Sequence, residues 1–107
     1  MKLSPISKSL QTSLYGHLHS SVEGTNKGKV IENRHSQASS FIHYKHPKGL
    51  FNTVNETLGK AGLTHESTHH LHEGSFSTVH KSPKVIVHHS YDKNKGEGLI
   101  TVRRNKE

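Results

Sequence analysis

A chain of 107 residues suffices for one domain, spanning residues 1–107, and is too short for two. Fifteen Lys and Arg against eight Asp and Glu leave a net charge of +7, which favours polyanionic partners such as nucleic acid. There is no Cys, so disulfides and thiolate metal sites are excluded. Leu, Ile, Val and Phe number 24, which predicts a small core rather than a deep one. The unusual quantity is imidazole: the chain has twelve His and no Trp.

No run approaches the roughly 18 apolar residues of a transmembrane helix. The start, Met1 to Leu10, lacks the continuous apolar stretch of a cleaved signal peptide. Cytoplasmic residence, or secretion without a cleaved signal, is therefore expected, and the serine-rich start is compatible with a bacterial effector. Ser4-Pro5 is a good helix start, and Ile6, Leu10, Leu14 and Leu18 recur every four residues, predicting an amphipathic helix over about 5–19. A turn cluster over 23–28 precedes a short candidate strand at 29–33. Residues 40–45, rich in aromatic and β-branched side chains, read as a firmer strand that ends at His46-Pro47-Lys48-Gly49. Leu50, Phe51, Val54, Leu58 and Ala61 share one face of a second helix, which Gly62 closes.

The last third changes period. Residues 75–80, 84–89 and 99–103 read as a three-stranded meander, and residues 104–107 as a solvated end. The sum is an α+β domain in which two helices cover one face of a mostly antiparallel sheet of four or five strands. The central segment, residues 25–64, carries +4 of the net charge and is the expected polyanion-facing region.

His65-Glu66-Ser67-Thr68-His69 matches H-E-x-x-H, in which two histidines one helical turn apart bind zinc and the glutamate activates bound water. With so many histidines the pattern arises readily by chance. Leu63 and Leu71 are the only large apolar residues near it, so a polar connector is the leading reading and a zinc-dependent hydrolase using His65, Glu66 and His69 the alternative.

Cleavage of RNA through its 2′-hydroxyl requires a base, an acid and cations around the phosphate, and needs neither cysteine nor metal. His43-Tyr44-Lys45-His46 supplies two imidazoles, an ammonium and a ring at a strand end in the most basic region. Strand alternation puts His43 and Lys45 on one face, and Tyr44 and His46 on the other with Ile42. His88 ends another strand and can join the group, as can His80; His89 points to the opposite face from His88. The expected catalytic set is His43, Lys45, His46 and His88, with Lys48, Tyr44, Arg103 and Arg104 as nucleic-acid contacts and no cofactor. Residues 43–49, with Glu56-Thr57-Leu58-Gly59-Lys60-Ala61-Gly62-Leu63-Thr64 after them, resemble fragments of HicA-type messenger-RNA-cleaving toxins, which join a histidine-bearing hairpin to a helix ending in a similar Ala-Gly-Leu. The chain lacks that family's Gly-Ser-His-type pattern and adds the C-terminal meander. The Lys45-His46 step is similar to the basic-histidine sites of colicin-type tRNA-cleaving domains.

The leading expectation is thus a metal-independent, histidine-dependent endoribonuclease of toxin type. A noncatalytic nucleic-acid-binding protein, with Tyr15, Tyr44, Tyr91 and Phe41 stacking on bases, and a secreted module with a protein partner are the other readings. Phosphate-loop and Gly-x-Ser-x-Gly patterns are absent.

Overall fold

The structure is a computed structural model that describes residues 6–36, 39–71 and 74–105, with side chains from Gln11 onward. Helix α1 (Ile6–Glu23) runs past the expected end at 19 because the apolar stripe continues: Leu14, Leu18 and Val22 are all fully buried. The Ser4-Pro5 start and the side chains of Ile6 and Leu10 lie outside the described residues. The helix stops at Gly24, whose N–H donates to the Ser20 carbonyl at 2.8 Å, while Thr25 Oγ1 donates to the Ser21 carbonyl at 2.7 Å. Gln11 is the polar exception on the buried face. Its Nε2 donates to the Ser36 carbonyl and to Ser40 Oγ, at 2.8 and 2.9 Å, and so ties the helix to the first hairpin.

After α1 come β1 (Lys29–His35), β2 (Ser39–Lys45), α2 (Phe51–Lys60), β3 (Thr64–His70), β4 (Phe76–Lys81), β5 (Val85–Asp92) and β6 (Glu97–Arg104). They form one sheet in the order β1-β2-β6-β5-β4-β3, every neighbouring pair antiparallel. The α+β class and the meander stand, but the sheet has six strands rather than four or five. The added strand is β3, the polar segment Thr64–His70. It lies at a sheet edge and makes its ladder only to β4, so it needs no alternating apolar residues, and its sequence carries no period-two signal. The expected solvated end is also shorter, since Arg104 is the last residue of β6 and pairs in register with Val85. Lys106 and Glu107 lie outside the described residues. Among the described residues no helix is long and apolar enough to cross a membrane.

Both helices cover the same face. Helix α1 lies against β1, β2, β6 and β5 and against α2, which also meets β3. Beneath them Ile42 and Tyr44 of β2, Val85, Val87, His89 and Tyr91 of β5, and Ile100 and Val102 of β6 are buried. Ser21 and Thr57 hydroxyls meet at 3.0 Å between the helices. The alternate residues, among them Phe41, His43, Ile86, His88, Leu99 and Thr101, form an open face with no layer of its own.

Tyr44 lies flat across β6 because its register partner there is Gly98. A Cβ at Gly98 would stand 2.3 Å from Tyr44 Cζ and 2.4 Å from the hydroxyl oxygen. The ring cannot retreat, as it stacks on Tyr91 with centroids 6.4 Å apart and bonds to buried His89. Gly98→Ala should therefore destabilise the fold by about 3 kcal/mol, read from the urea midpoint, whereas the same change at a helix surface would stabilise.

Candidate nucleic-acid interface

The β1–β2 hairpin places like charges opposite each other. Lys29 opens β1, Lys45 closes β2, and a bulge between Val30 and Glu32 sets them in direct register. Cross-strand pairs of like charge are destabilising, by roughly 0.2–1 kcal/mol. Neither lysine makes an ion pair with a described residue. With Lys27, His46, Pro47 and Gly96 they line a hollow of about 330 Å³ that holds no carboxylate. Lys27 enters it from a turn at φ 71°, the one positive φ among the described non-glycine residues. That conformation costs an L-residue roughly 1–2 kcal/mol.

His46 is fixed on this rim through its backbone. Its N–H donates to the Gly96 carbonyl at 2.9 Å, and its own carbonyl accepts from the Tyr91 hydroxyl. Its Nδ1 accepts the Lys48 N–H at 3.1 Å. A neutral imidazole that accepts at Nδ1 carries its proton on Nε2, so the ring offers an N–H to an anion. Lys48 follows in the same exposed loop.

His43 lies on the open face two residues before Lys45, on the same side of the strand. Its Nε2 meets Glu97 Oε1 at 3.1 Å, each side chain about one-third exposed, at 31% and 32%. A carboxylate that accepts from Nε2–H leaves the lone pair on Nδ1, the arrangement that makes imidazole a proton acceptor. Glu97 faces Lys45 of β2 in register on one side and Asp92 of β5 on the other.

The remaining expected residues separate. His88 shares the open face but bonds to Ser77 Oγ at 3.0 Å. It is paired with Thr101 while His43 is paired with Leu99, so one strand and one register row intervene and the two Cα atoms lie about 12 Å apart. Arg103 and Arg104 are at the far end of β6, about 20 Å along the strand from Glu97 and away from the lysine rim.

Tyr44 is not a stacking residue. It is fully buried under the helices, and its hydroxyl bonds to His89 Nε2 at 2.6 Å, so neither ring face is open to a base. Burial pushes its hydroxyl well above the usual tyrosine range. Tyr91 is buried too, and burial raises it likewise. His89 is fully buried, and desolvation, with His80 and His88 nearby, lowers its pKa to about 3. His80 is also buried and shifts down, first through burial and then through His65. These two strand histidines belong to the core rather than to a reactive surface.

The H-E-x-x-H segment is strand β3, not a helix. A bulge between His65 and Ser67 places His65 opposite buried His80, with ring centroids 5.0 Å apart, and His69 opposite Ser77. His80 faces the helices and Ser77 the open side, so the two imidazoles of the motif lie on opposite faces of the sheet. They cannot share one ion in the helical geometry the motif implies. His65 instead bonds to Thr68 Oγ1. Among the described residues no three His, Asp or Glu side chains are placed to hold a metal.

Lys27, Lys29 and Glu97 were not among the expected site residues. Antiparallel pairing of β1 with β2 brings the start of β1 near the end of β2, but the bulge decides which residue Lys45 meets. Comparison with protein-family models, with curated proteins and with solved structures finds no match to this chain.

Proposed function

We propose that this protein binds RNA at the lysine-lined end of its sheet and cleaves it there with histidine chemistry that needs no metal. The observation that carries the reading is the juxtaposition of Lys29 and Lys45 in a hollow without carboxylates, next to an imidazole oriented by Glu97. The repulsion between the lysines is relieved by a polyanion.

In this reading His43 Nδ1 takes the proton from a 2′-hydroxyl as its oxygen bonds to phosphorus. Lys45 faces the negative charge that grows on the phosphoryl oxygens. The bond from phosphorus to the 5′-oxygen breaks, and that oxygen receives the Nε2 proton of His46 in its imidazolium form, in which Nδ1 has taken up a proton and released the Lys48 N–H. The products are a 2′,3′-cyclic phosphate and a 5′-hydroxyl, with no water, oxidant or metal consumed. His88, held by Ser77 at a distance, contacts RNA rather than the reacting phosphate.

The test is binding and cleavage of a labelled single-stranded RNA across a salt series, with and without a strong chelator. Exchanging both Lys29 and Lys45 for Gln should lower the slope of log affinity against log salt by about 1.4, because each single-strand phosphate contact contributes about 0.7. The same variant should be slightly more stable than the parent, since a repulsive pair is gone. RNA binding that is absent or indifferent to salt would overturn the proposal, and activity lost on chelation would overturn its metal-free chemistry.

A further inference from the structure

The open face carries a second hollow of about 610 Å³, larger than the lysine-lined one and different in character. It crosses the strands from Glu32 on β1 to Leu71 beyond β3, over a floor that includes Phe41 and Leu99. Six strands spaced about 4.8 Å apart give it the width of the sheet, about 24 Å between the edge strands. His43 and several serine and threonine hydroxyls line it, and its one lysine, Lys95, is outnumbered by Glu32, Asp92 and Glu97. Its three carboxylates disfavour phosphates over most of the floor, so a strand seated here keeps its phosphates toward the lysines, with His43 at that margin, and lays its bases on the apolar floor.

Two of the three carboxylates are occupied. Glu97 holds His43, and Asp92 Oδ1 accepts the Asn94 N–H at 2.9 Å. Glu32 is exposed and, though it faces His43 across the ladder, makes no hydrogen bond or ion pair with a described residue. It stands diagonally across from Phe41, whose direct register partner is Arg34, so the two residues are about 7–8 Å apart, within reach of an aromatic side chain. The Phe41 ring face receives flat groups: the Arg34 guanidinium lies over it at 5.8 Å. A base stacked on that ring would bring its edge to Glu32.

We infer that this trough seats single-stranded RNA with its bases inward and reads a guanine between the Phe41 ring and the Glu32 carboxylate. An ionised carboxylate only accepts hydrogen bonds. Guanine alone among the four bases has two adjacent donors, N1–H and the N2 amino group, on its Watson–Crick edge, and a carboxylate accepts both at once. Adenine and cytosine set a ring acceptor beside their amino group, and uracil flanks its one N–H with two carbonyls. That edge is exposed only where the base is unpaired, which selects single strands over duplex. The inference rests on the RNA reading above and adds the base that it prefers.

The experiment measures affinities for 2′-O-methyl oligouridylates of one length, which cannot be cut through the 2′-hydroxyl, each carrying a single central guanine, adenine, cytosine or uracil. The guanine oligonucleotide should bind about tenfold more tightly than the others, the size of one bidentate base contact. Glu32→Ala should bring the four affinities within about threefold of one another and leave the salt slope unchanged, because the lysines set that slope. Glu32 is exposed on an edge strand, so the variant keeps its fold, which far-ultraviolet circular dichroism would verify. Salt-dependent binding with no guanine preference, or a preference that survives Glu32→Ala, would overturn this inference and leave RNA binding intact. Failure of every oligonucleotide to bind would overturn both.

Discussion

Acidification from pH 7 to pH 4 should cost the fold about 3 kcal/mol through His89 alone. This imidazole is fully buried, and its pKa falls from an ordinary 6.5 to about 3, first through desolvation and then through His80 and His88. Between those values the unfolded chain holds a proton that the folded chain refuses, so stability rises with pH in that window. The contribution is whole above about 6.5, is lost as the pH falls, and loses nothing further below about 3. His80, shifted in the same direction by burial and by His65, adds to the loss. Urea unfolding at pH 7, 6, 5 and 4 reads the slope directly. Replacing Tyr44 by Phe together with His89 by Leu removes both partners of one hydrogen bond and leaves neither unsatisfied. That double variant should lose about one proton's share of the pH slope, while charge repulsion elsewhere is unchanged. A parent protein equally stable at pH 6.5 and pH 4 would show that His89 is not held neutral in the core.

The same residue shows where sequence reasoning stops. His88 and His89 are adjacent, so alternation alone sends them to opposite faces, and one was expected to miss any surface site. Which face is covered depends on the helices. Leu14, Leu18 and Val22 of α1, with Val54 and Leu58 of α2, decide it, and they bury the Tyr44 side of β2 together with the His89 side of β5. Once Tyr44 was grouped with Ile42 its burial was legible, and its assignment as a stacking ring was in conflict with that grouping. Helices α1 and α2 were readable because their apolar stripes recur at helical spacing. Strand β3 was not, because an edge strand of Thr, His, Glu and Ser satisfies its ladder without an apolar pattern.

Long-range register hid the rest of the site. That His43 and Lys45 share a face follows from two residues in one strand. That Glu97 is their neighbour follows from β6 inserting between β2 and β5, a pairing of segments more than fifty residues apart in the chain. The hairpin bulge likewise puts Lys29 rather than Val30 opposite Lys45. In both cases the chemistry depends on a shift of one residue, since one step along a strand turns a side chain to the other face.

His43→Ala should lower RNA cleavage by about 10²–10⁴-fold, the usual contribution of a general base. Affinity should change little, because the lysine rim rather than His43 carries the phosphate contacts. The loss then falls on the chemical step, visible in single-turnover rates measured at saturating protein. Free imidazole added to the His43→Ala protein should restore part of the rate, which a merely misfolded variant would not allow. Glu97→Gln separates orientation from charge. The amide oxygen can still accept from Nε2–H, but the amide is as able to present its NH₂ group, which would favour the tautomer with its lone pair on Nε2. A loss of about 10²-fold with unchanged affinity is expected from that variant, together with the same 2′,3′-cyclic phosphate product in the residual activity. If His43→Ala cuts RNA at the parental rate, the base is not His43. The Glu97 pair would then be an ordinary half-exposed ion pair of the kind that contributes about 0–1 kcal/mol to stability.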